Sequence, residues 1–218
     1  ASIFLTHTHW DHIQGIPFFG PFYIKGNRFN FYSPLDDLKT RIDYQQAYTH
    51  FQVTFDNMQA SKRFFKVNQG ETFYINDVKI FTKMMPHPGS AFGIRIEEGD
   101  STFVYTSDCE FSINEIDNIH TYEPLFNGAD IVLFDAQYTF QESLIDKISW
   151  GHSSASIAID IAAKYNVKKL ILFHHDPNYD DEKLNSVISN ARTYVNVNRK
   201  VSDNLVVDLA TEGMIFEF

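Results

Sequence analysis

Short apolar runs, each followed by a histidine or an aspartate, recur along this chain. Ile3 to Leu5, Ile131 to Phe134 and Leu170 to Phe173 are such runs, and their length predicts buried β-strands. Predicted strand ends deliver several potentially reactive residues: His7 with His9, His87, Asp108, Asp135 and His174. Reactive side chains held on loops by a rigid sheet are a common way to build an active site, so the pattern predicts one at these strand ends.

The rest of the hydrophobic pattern predicts alternating strands and helices, and hence an α/β fold. Two hairpins with turn signals are predicted: Phe73 to Ile75 with Val78 to Met84, and Phe92 to Glu97 with Thr102 to Thr106. Further strands are predicted at Phe22 to Ser33 as a strand pair, Phe64 to Val67, Leu205 to Leu209 and Met214 to Phe218. Helices are predicted at Ile13 to Phe19, Asp36 to Phe51, Ser154 to Lys164 and Asp180 to Val195.

Composition narrows the class of protein. The 218 residues are 44% apolar and 16% aromatic, enough to bury a core in one domain. The net charge of −10 gives no indication of a broad basic surface that would bind nucleic acid. The one cysteine, Cys109, excludes an internal disulfide and fits a reducing, cytoplasmic compartment. No apolar run reaches the roughly 20 residues of a transmembrane helix, so no membrane partner is expected.

The stretch His7-Thr8-His9-Trp10-Asp11-His12 predicts a metal site. Side chains two apart on a strand point the same way, so His7 and His9 are expected to converge on one ion. Asp11 and His12, where the chain turns, can face a neighbouring ion. Neutral imidazole suits zinc and other first-row metals, and a carboxylate adds hard negative charge. A solvated polar turn is the alternative interpretation, which the apolar strand before these ligand-type residues disfavours.

The same residues resemble the metallo-β-lactamase fold hydrolases. Residues 7–12 match the family's HxHxDH motif, and His87, Asp108 and His174 follow in the order of its later ligands. The resemblance implies that family's αββα sandwich in a single hydrolase domain over residues 1–218. Because the family places strands before the motif, the domain is expected to be truncated at its N-terminus.

Within the superfamily, the chain is similar to the branch of ribonuclease Z, class II cyclic nucleotide phosphodiesterases and phosphoribosyl cyclic phosphate phosphodiesterases. Pro86-His87 followed by Gly93-Ile94-Arg95 resembles the ribonuclease Z pattern PxHxxxxxGYR, with isoleucine in place of tyrosine. Phe134 to Tyr138 and Gly151 to Ser154 resemble that branch's HEAT-type and GHST segments, with Asp135 in place of glutamate.

The resemblance implies two divalent ions, with zinc preferred and manganese or iron as alternatives. One ion would be held by His7, His9 and His87, and the other by Asp11, His12 and His174, with Asp108 bridging both. Two cations about 3.5–4 Å apart need a shared anion, and a water between them becomes the nucleophile near neutral pH. Catalytic roles are assigned to Asp11 and to His152 with Asp135, the pair expected to give the leaving alkoxide its proton.

Some of these roles have structural alternatives. His152 could instead be a neighbour of the helix cap at Ser153, and Asp135 a hydrogen-bond acceptor for a metal-binding histidine. His174 and His175 are adjacent, and strand alternation lets only one face the ions, so His174 is favoured by its place in the motif. Cys109 is expected to point away from the ions as a small buried residue.

These roles predict a phosphodiesterase acting on a small phosphodiester, such as a cyclic nucleotide or a cyclic phosphate. Ribonuclease Z activity on tRNA precursors is less favoured. That enzyme usually grips tRNA with an inserted arm rich in basic residues and glycine, and the sequence shows no such insertion. The net charge of −10 also offers little release of counterions on binding RNA. Thioester or lactone hydrolysis on the same metal core is an alternative that does not need the proton donor. A non-catalytic metal-binding module is a third alternative, and a homodimer is left open.

Overall fold

The computed structural model describes residues 1–112, 116–198, 201 and 204–216. The chain divides into two compact units, Ala1–Gln69 and Gly70–Phe218. Each unit combines a sheet with helices, so the predicted α/β class is confirmed. The single domain over residues 1–218 stays a prediction. None of the helices formed by the described residues is both long and apolar enough to cross a membrane.

The first unit contains a three-stranded parallel sheet with its second strand in the centre. The strands are β1 (Ser2–Phe4), β2 (Arg28–Ser33) and β3 (Ser61–Lys66). Two helices, α1 (Trp10–Ile13) and α2 (Leu38–Gln45), accompany the sheet. Short 3₁₀ helices lie at Ile16–Phe18, Gly20–Tyr23 and Phe55–Asn57.

Aromatic side chains on neighbouring strands stabilise this sheet. In the register of β2 and β3, Phe31 lies beside Phe64 and Tyr32 beside Phe65. The ring centroids are 5.0 and 5.1 Å apart, and both pairs are stacked. Such pairs contribute about 0.5–1.5 kcal/mol beyond the burial of their area. The loop that follows β1 therefore extends from a well-packed sheet.

Proline and glycine account for two wrong predictions in the first unit. The helix expected over Ile13 to Phe19 ends at Ile13, because Pro17 has no N–H to donate to the Ile13 carbonyl. The strand expected from Phe22 is instead a 3₁₀ helix that begins at Gly20 with Pro21 in its first turn. Helix α2 is also shorter than the predicted Asp36 to Phe51.

The second unit is built on a seven-stranded sheet whose strands match the predicted hairpins and buried runs. The strands are β4 (Thr72–Ile75), β5 (Val78–Met85), β6 (Ala91–Glu98), β7 (Ser101–Tyr105), β8 (Ile131–Asp135), β9 (Lys169–Phe173) and β10 (Val206–Leu209). Their order is β10-β9-β8-β7-β6-β5-β4. Strands β4 to β7 pair antiparallel, and β7 to β10 pair parallel.

The helices of this unit are α3 (Glu123–Phe126), α4 (Phe140–Leu144), α5 (Ala155–Lys164) and α6 (Asp181–Val197). The predicted helices over Ser154 to Lys164 and Asp180 to Val195 are confirmed as α5 and α6. The closing strand predicted at Met214 to Phe218 is wrong for residues 214–216, which are in no strand, and residues 217 and 218 lie outside the described residues.

The core of the second unit lies between the sheet and these helices. Ile157 and Ile161 of α5 are buried in one cluster with Val132 of β8 and with Leu170 and Leu172 of β9. Because β7, β8 and β9 run parallel, their carboxyl ends lie at one edge of the sheet. This edge is where the second unit places Asp108, Asp135 and His174.

Candidate active site

In the first unit, the histidines of the HxHxDH motif lie on a loop and a helix instead of a strand. Strand β1 ends at Phe4 and α1 begins at Trp10, so the expected strand alternation of His7 and His9 was wrong. Their ring centroids are nevertheless 4.8 Å apart, and those of His7 and His12 are 4.2 Å apart. The loop and the first turn of α1 therefore bring three imidazoles together.

Hydrogen bonds from α2 hold this loop in place. The Arg41 guanidinium donates to the Thr8 hydroxyl at 3.2 Å, and the Gln45 side-chain amide donates to the Ile13 carbonyl at 2.8 Å. His7 is 2% exposed, whereas His9 is exposed. The loop is thus anchored at Thr8, between His7 and His9, and α1 is anchored at Ile13, directly after His12.

Asp11 lies beside this group at the surface. One of its carboxylate oxygens is 3.3 Å from His12 Nε2, and the two side chains are 59% and 15% exposed. Imidazole nitrogens beside a carboxylate oxygen are the donor types that bind first-row divalent metals. The first unit therefore supplies part of such a donor set.

In the second unit, a left-handed residue follows two of the parallel strands. Ser107, after β7, has φ of 57°, and His174, after β9, has φ of 61°. Non-glycine residues adopt this conformation infrequently, and where they do it often marks a functional site. The turns end the strands and place Asp108 and His174 at the same edge of the sheet.

The Asp108 carboxylate lies between two histidines of this unit. Its Oδ2 is 3.8 Å from His87 Nε2, and its Oδ1 is 3.7 Å from His174 Nε2. Both distances exceed a hydrogen bond. The side chains of Asp108 and His87 are 2% and 1% exposed, so the carboxylate is shielded from bulk water. Each oxygen thus faces a different imidazole, as a bridging ligand would require.

A backbone carbonyl determines which nitrogen of His87 faces Asp108. His87 Nδ1 lies 2.8 Å from the Gly151 carbonyl oxygen. Because a carbonyl can only accept, Nδ1 carries the proton and the neutral ring keeps its lone pair on Nε2. A metal-binding histidine is commonly oriented in this way by a hydrogen bond at its other nitrogen.

His152 and Asp135 form a hydrogen-bonded pair beside this group. His152 Nδ1 lies 2.7 Å from Asp135 Oδ2, and the Asp135 side chain is fully buried. The backbone N–H of Cys109 donates to Oδ2 at 3.0 Å, and that of Gln137 donates to Oδ1 at 3.1 Å. These two N–H groups satisfy the hydrogen-bonding needs of the buried carboxylate. Because Asp135 occupies His152 Nδ1, Nε2 is the ring nitrogen that can exchange a proton.

Asp108, Asp135, His152 and His174 can each offer a ligand atom such that all four atoms lie within 4.8 Å of one another. The rings of His152 and His174 are stacked with centroids 4.9 Å apart. Imidazole nitrogens and carboxylate oxygens at this spacing are chemically suited to a divalent transition metal. The donor set of the second unit therefore fits a metal ion.

Of the two adjacent histidines, His174 has the contacts with the aspartates. In addition to its approach to Asp108, its Nδ1 lies 3.7 Å from Asp135 Oδ1. Burial, together with the neighbouring His174, lowers the pKa of His175 and favours its neutral form. The expected burial of Cys109 is confirmed, because its side chain is fully buried in the core.

The sequence interpretation missed two structural roles at this site, that of Glu110 and that of Gly151, which was noted only as part of the GHST-like segment. Glu110 accepts hydrogen bonds from the backbone of residues 149 and 151, and the Gly151 carbonyl orients His87. Gly151 has φ of 96°, and an added Cβ would lie 2.3 Å from His87 Nδ1. The glycine that precedes His152 was a usable signal, whereas a glutamate that binds backbone N–H groups has no motif of its own.

The chain resembles known proteins in its sequence. A sequence profile described as Beta-lactamase superfamily domain matches residues 1–175. The ribonuclease Z of Oceanobacillus iheyensis is 22% identical over 246 residues, covering 88% of this chain and 76% of that protein.

Solved structures resemble the whole chain. The metallo-beta-lactamase fold protein YhfI from Bacillus subtilis has a TM-score of 0.69 at 20% identity, covering 98% of this chain and 75% of YhfI. Yeast PDE1 has a TM-score of 0.69 at 14% identity, covering 98% of this chain and 67% of that one. At such identities the structural likeness shows the fold alone, and it confirms the predicted metallo-β-lactamase fold.

Proposed function

The chain belongs to the beta-lactamase superfamily, and on that premise we propose that it hydrolyses a small phosphodiester of the cyclic nucleotide or cyclic phosphate type. It is a metal-dependent hydrolase of the nuclease or phosphodiesterase kind. The observation that carries the finer proposal is the His152–Asp135 hydrogen bond of 2.7 Å beside Asp108 and His174. A proton donor is what a departing alkoxide requires.

The proposed cofactor is a pair of divalent ions, with zinc preferred over manganese or iron. The proposed ligands are those of the sequence motif: His7, His9, Asp11, His12, His87, Asp108 and His174. When bound, the ions would stabilise charge on the phosphoryl oxygens and make water a stronger nucleophile near neutral pH. Asp11 keeps its proposed catalytic role as a carboxylate of this set.

Contacts within the chain orient two of these proposed ligands, His87 and Asp108. The Gly151 carbonyl keeps the proton of His87 on Nδ1, which leaves the Nε2 lone pair for a ligand bond. The two Asp108 oxygens face His87 and His174 separately, which supports a bridging role for that carboxylate. Burial of Asp108 and His87 lowers the local dielectric and strengthens their electrostatic interactions.

His152 is the proposed proton donor, and Asp135 orients it. With Nδ1–H donated to Asp135, the imidazolium form carries its second proton on Nε2, from which the leaving oxygen would take it. The buried carboxylate holds the ring in one orientation for the transfer. General acid catalysis of this kind contributes roughly 10²–10⁴-fold to the rate.

Processing of tRNA precursors is the second candidate, because the similar protein from Oceanobacillus iheyensis is a ribonuclease Z. The net charge of −10 argues for the smaller substrate, since few phosphates of a long RNA could be neutralised. Thioester hydrolysis is less favoured because it does not require the His152–Asp135 donor pair.

A comparison of turnover on four substrates tests the proposal. The purified chain, loaded with zinc, is assayed on bis-p-nitrophenyl phosphate, a cyclic nucleotide, a precursor tRNA and a p-nitrophenyl thioester. We expect cleavage of the two small phosphodiesters. Cleavage of precursor tRNA without the small diesters would favour the second candidate, and cleavage of the thioester alone would overturn both.

A further inference from the structure

Glu110 ties together three segments that surround the second unit's site. Its Oε1 accepts the backbone N–H of Ser149 at 2.7 Å, and its Oε2 accepts that of Gly151, also at 2.7 Å. Its own N–H donates to the Pro86 carbonyl at 2.7 Å. One residue therefore joins the segment before His87 to the turn before His152.

The turn that Glu110 holds has an unusual backbone. Ser149 has φ of 66° and Gly151 has φ of 96°. A non-glycine residue in this region is strained and persists when surrounding contacts hold it. Backbone N–H groups exposed by such turns bind anions, and hydrogen bonds to a carboxylate are roughly twice as strong as neutral ones. The Glu110 carboxylate supplies that anion from within the chain.

The turn adjoins His87 and His152, a proposed metal ligand and the proposed proton donor. The Gly151 carbonyl accepts from His87 Nδ1 at 2.8 Å, and His152 follows directly in the chain and meets Asp135. The peptide plane that presents the Gly151 carbonyl is therefore set by the turn. If the turn moves, His87 loses the acceptor that keeps its proton on Nδ1.

A neutral contact joins the same segments. The Ser153 hydroxyl donates to the Cys109 carbonyl at 2.7 Å and accepts the Phe111 N–H at 3.1 Å. Ser153 follows His152 in the chain, whereas the residues that Glu110 binds precede it, so this contact holds the segment that leads into α5. It does not hold the Gly151 carbonyl.

We propose that Glu110 is a positioning residue of this site: its carboxylate holds the turn at residues 149–151, and thereby orients His87 through the Gly151 carbonyl. The proposal rests on the proposed function for its effect on turnover. It does not rest on that function for its effect on the His87 ring or on metal affinity.

The test compares Glu110→Ala and Glu110→Gln with Glu98→Ala, which removes an exposed glutamate at the end of β6 as a matched change in charge. Histidine tautomers are read by ¹⁵N NMR on the metal-free full chain, and zinc affinity by competition with a chromophoric chelator. Turnover of bis-p-nitrophenyl phosphate is measured in parallel.

We expect Glu110→Ala to shift His87 away from its Nδ1–H form and to weaken zinc binding by about 10–100-fold, with Glu98→Ala like the wild type. Glu110→Gln keeps one acceptor and should lie between, so it carries the test if Glu110→Ala does not fold. A His87 tautomer and a zinc affinity that match Glu98→Ala in both Glu110 variants would overturn the proposal. If the wild-type chain cleaves no phosphodiester, the proposed function fails while these two measurements still decide the role of Glu110.

Discussion

His152 Nδ1 lies 2.7 Å from Asp135 Oδ2, and that carboxylate is held in turn by the backbone N–H groups of Cys109 and Gln137. The imidazole is thus oriented by a buried group that cannot swing away. His174 lies on one side of the His152 ring, and Tyr138 contacts it edge-on with centroids 5.6 Å apart. A ring fixed in this manner is suited to repeated proton transfer at one atom.

Removal of this imidazole separates catalysis from metal binding. We expect His152→Ala to lower turnover of bis-p-nitrophenyl phosphate by roughly 10²–10⁴-fold, because the leaving oxygen loses its proton donor. Metal content, measured by atomic emission on the same samples, should stay at the wild-type value. His120→Ala, an exposed histidine of the helix Ile116–Tyr122, is the matched control and should keep full turnover. Equal loss of metal and activity in His152→Ala would make His152 a ligand instead of a donor.

A methyl group at Gly151 should crowd the His87 ring in addition to straining the backbone. In Gly151→Ala, the new Cβ would lie 2.3 Å from His87 Nδ1 and 2.6 Å from Pro88 Cδ, so the His87 ring must move. We expect zinc affinity, measured by chelator competition, to fall by about 10–100-fold. Gly26→Ala is the control, because its φ of 98° imposes similar backbone strain with no atom within 4 Å of the added Cβ. Equal zinc affinities in the two variants would show that the close approach of Gly151 to His87 is unimportant.

The thiol of Cys109 should be unreactive in the folded chain. Burial, followed by the nearby Asp135 carboxylate, raises the pKa of this thiol well above its ordinary value. Since the thiolate is the reactive form, Ellman's reagent at about pH 8 should label the native protein negligibly and the guanidinium-unfolded protein completely. Rapid labelling of the native chain would place Cys109 in an accessible position.

Glu142 should make the stability of the second unit depend on pH. It forms a capping box with Thr139 at the start of α4 and also accepts a hydrogen bond from the Tyr179 hydroxyl. Burial raises the pKa of Glu142, but the hydrogen bonds from Thr139 and Tyr179 outweigh it and lower the pKa below its ordinary value of 4.5. A carboxyl with a lowered folded-state pKa stabilises the protein above its unfolded-state pKa, and the contribution is lost as the pH falls through the folded-state value.

The matched variant is Glu142→Gln, which keeps the length of the side chain and an acceptor for the cap. We expect the urea midpoint of wild type to exceed that of Glu142→Gln near neutral pH, and the difference to shrink as the pH falls below the ordinary glutamate pKa of 4.5. A difference that is the same at every pH would mean that the charge of Glu142 does not contribute.

Much of the fold was predictable because apolar runs and turn residues report strands directly. Strands β8 and β9 were found from Ile131 to Phe134 and from Leu170 to Phe173, and Asp135 and His174 were found because each follows a buried run. Predictions failed where local sequence competes with tertiary contacts. His7 and His9 approach each other through a loop held by Arg41, which no strand periodicity reports.

The supporting contacts of the site were harder to predict for a physical reason. The Glu110 carboxylate binds backbone N–H groups and His87 meets a backbone carbonyl, and because every residue type has these backbone atoms, the sequence does not reveal such partners. The left-handed turn at His174 was also unforeseen, because only a few per cent of non-glycine residues adopt that conformation.

Metal removal and restoration on one substrate test the central claim most directly. Hydrolysis of bis-p-nitrophenyl phosphate by the purified chain is measured before chelation, after chelation and after addition of zinc, manganese or iron, with bound metal counted in each sample. We predict that chelation lowers turnover by at least about 100-fold and that about two divalent ions per chain restore it. Turnover that survives complete removal of metal, or a purified chain that binds no transition metal, would contradict the account.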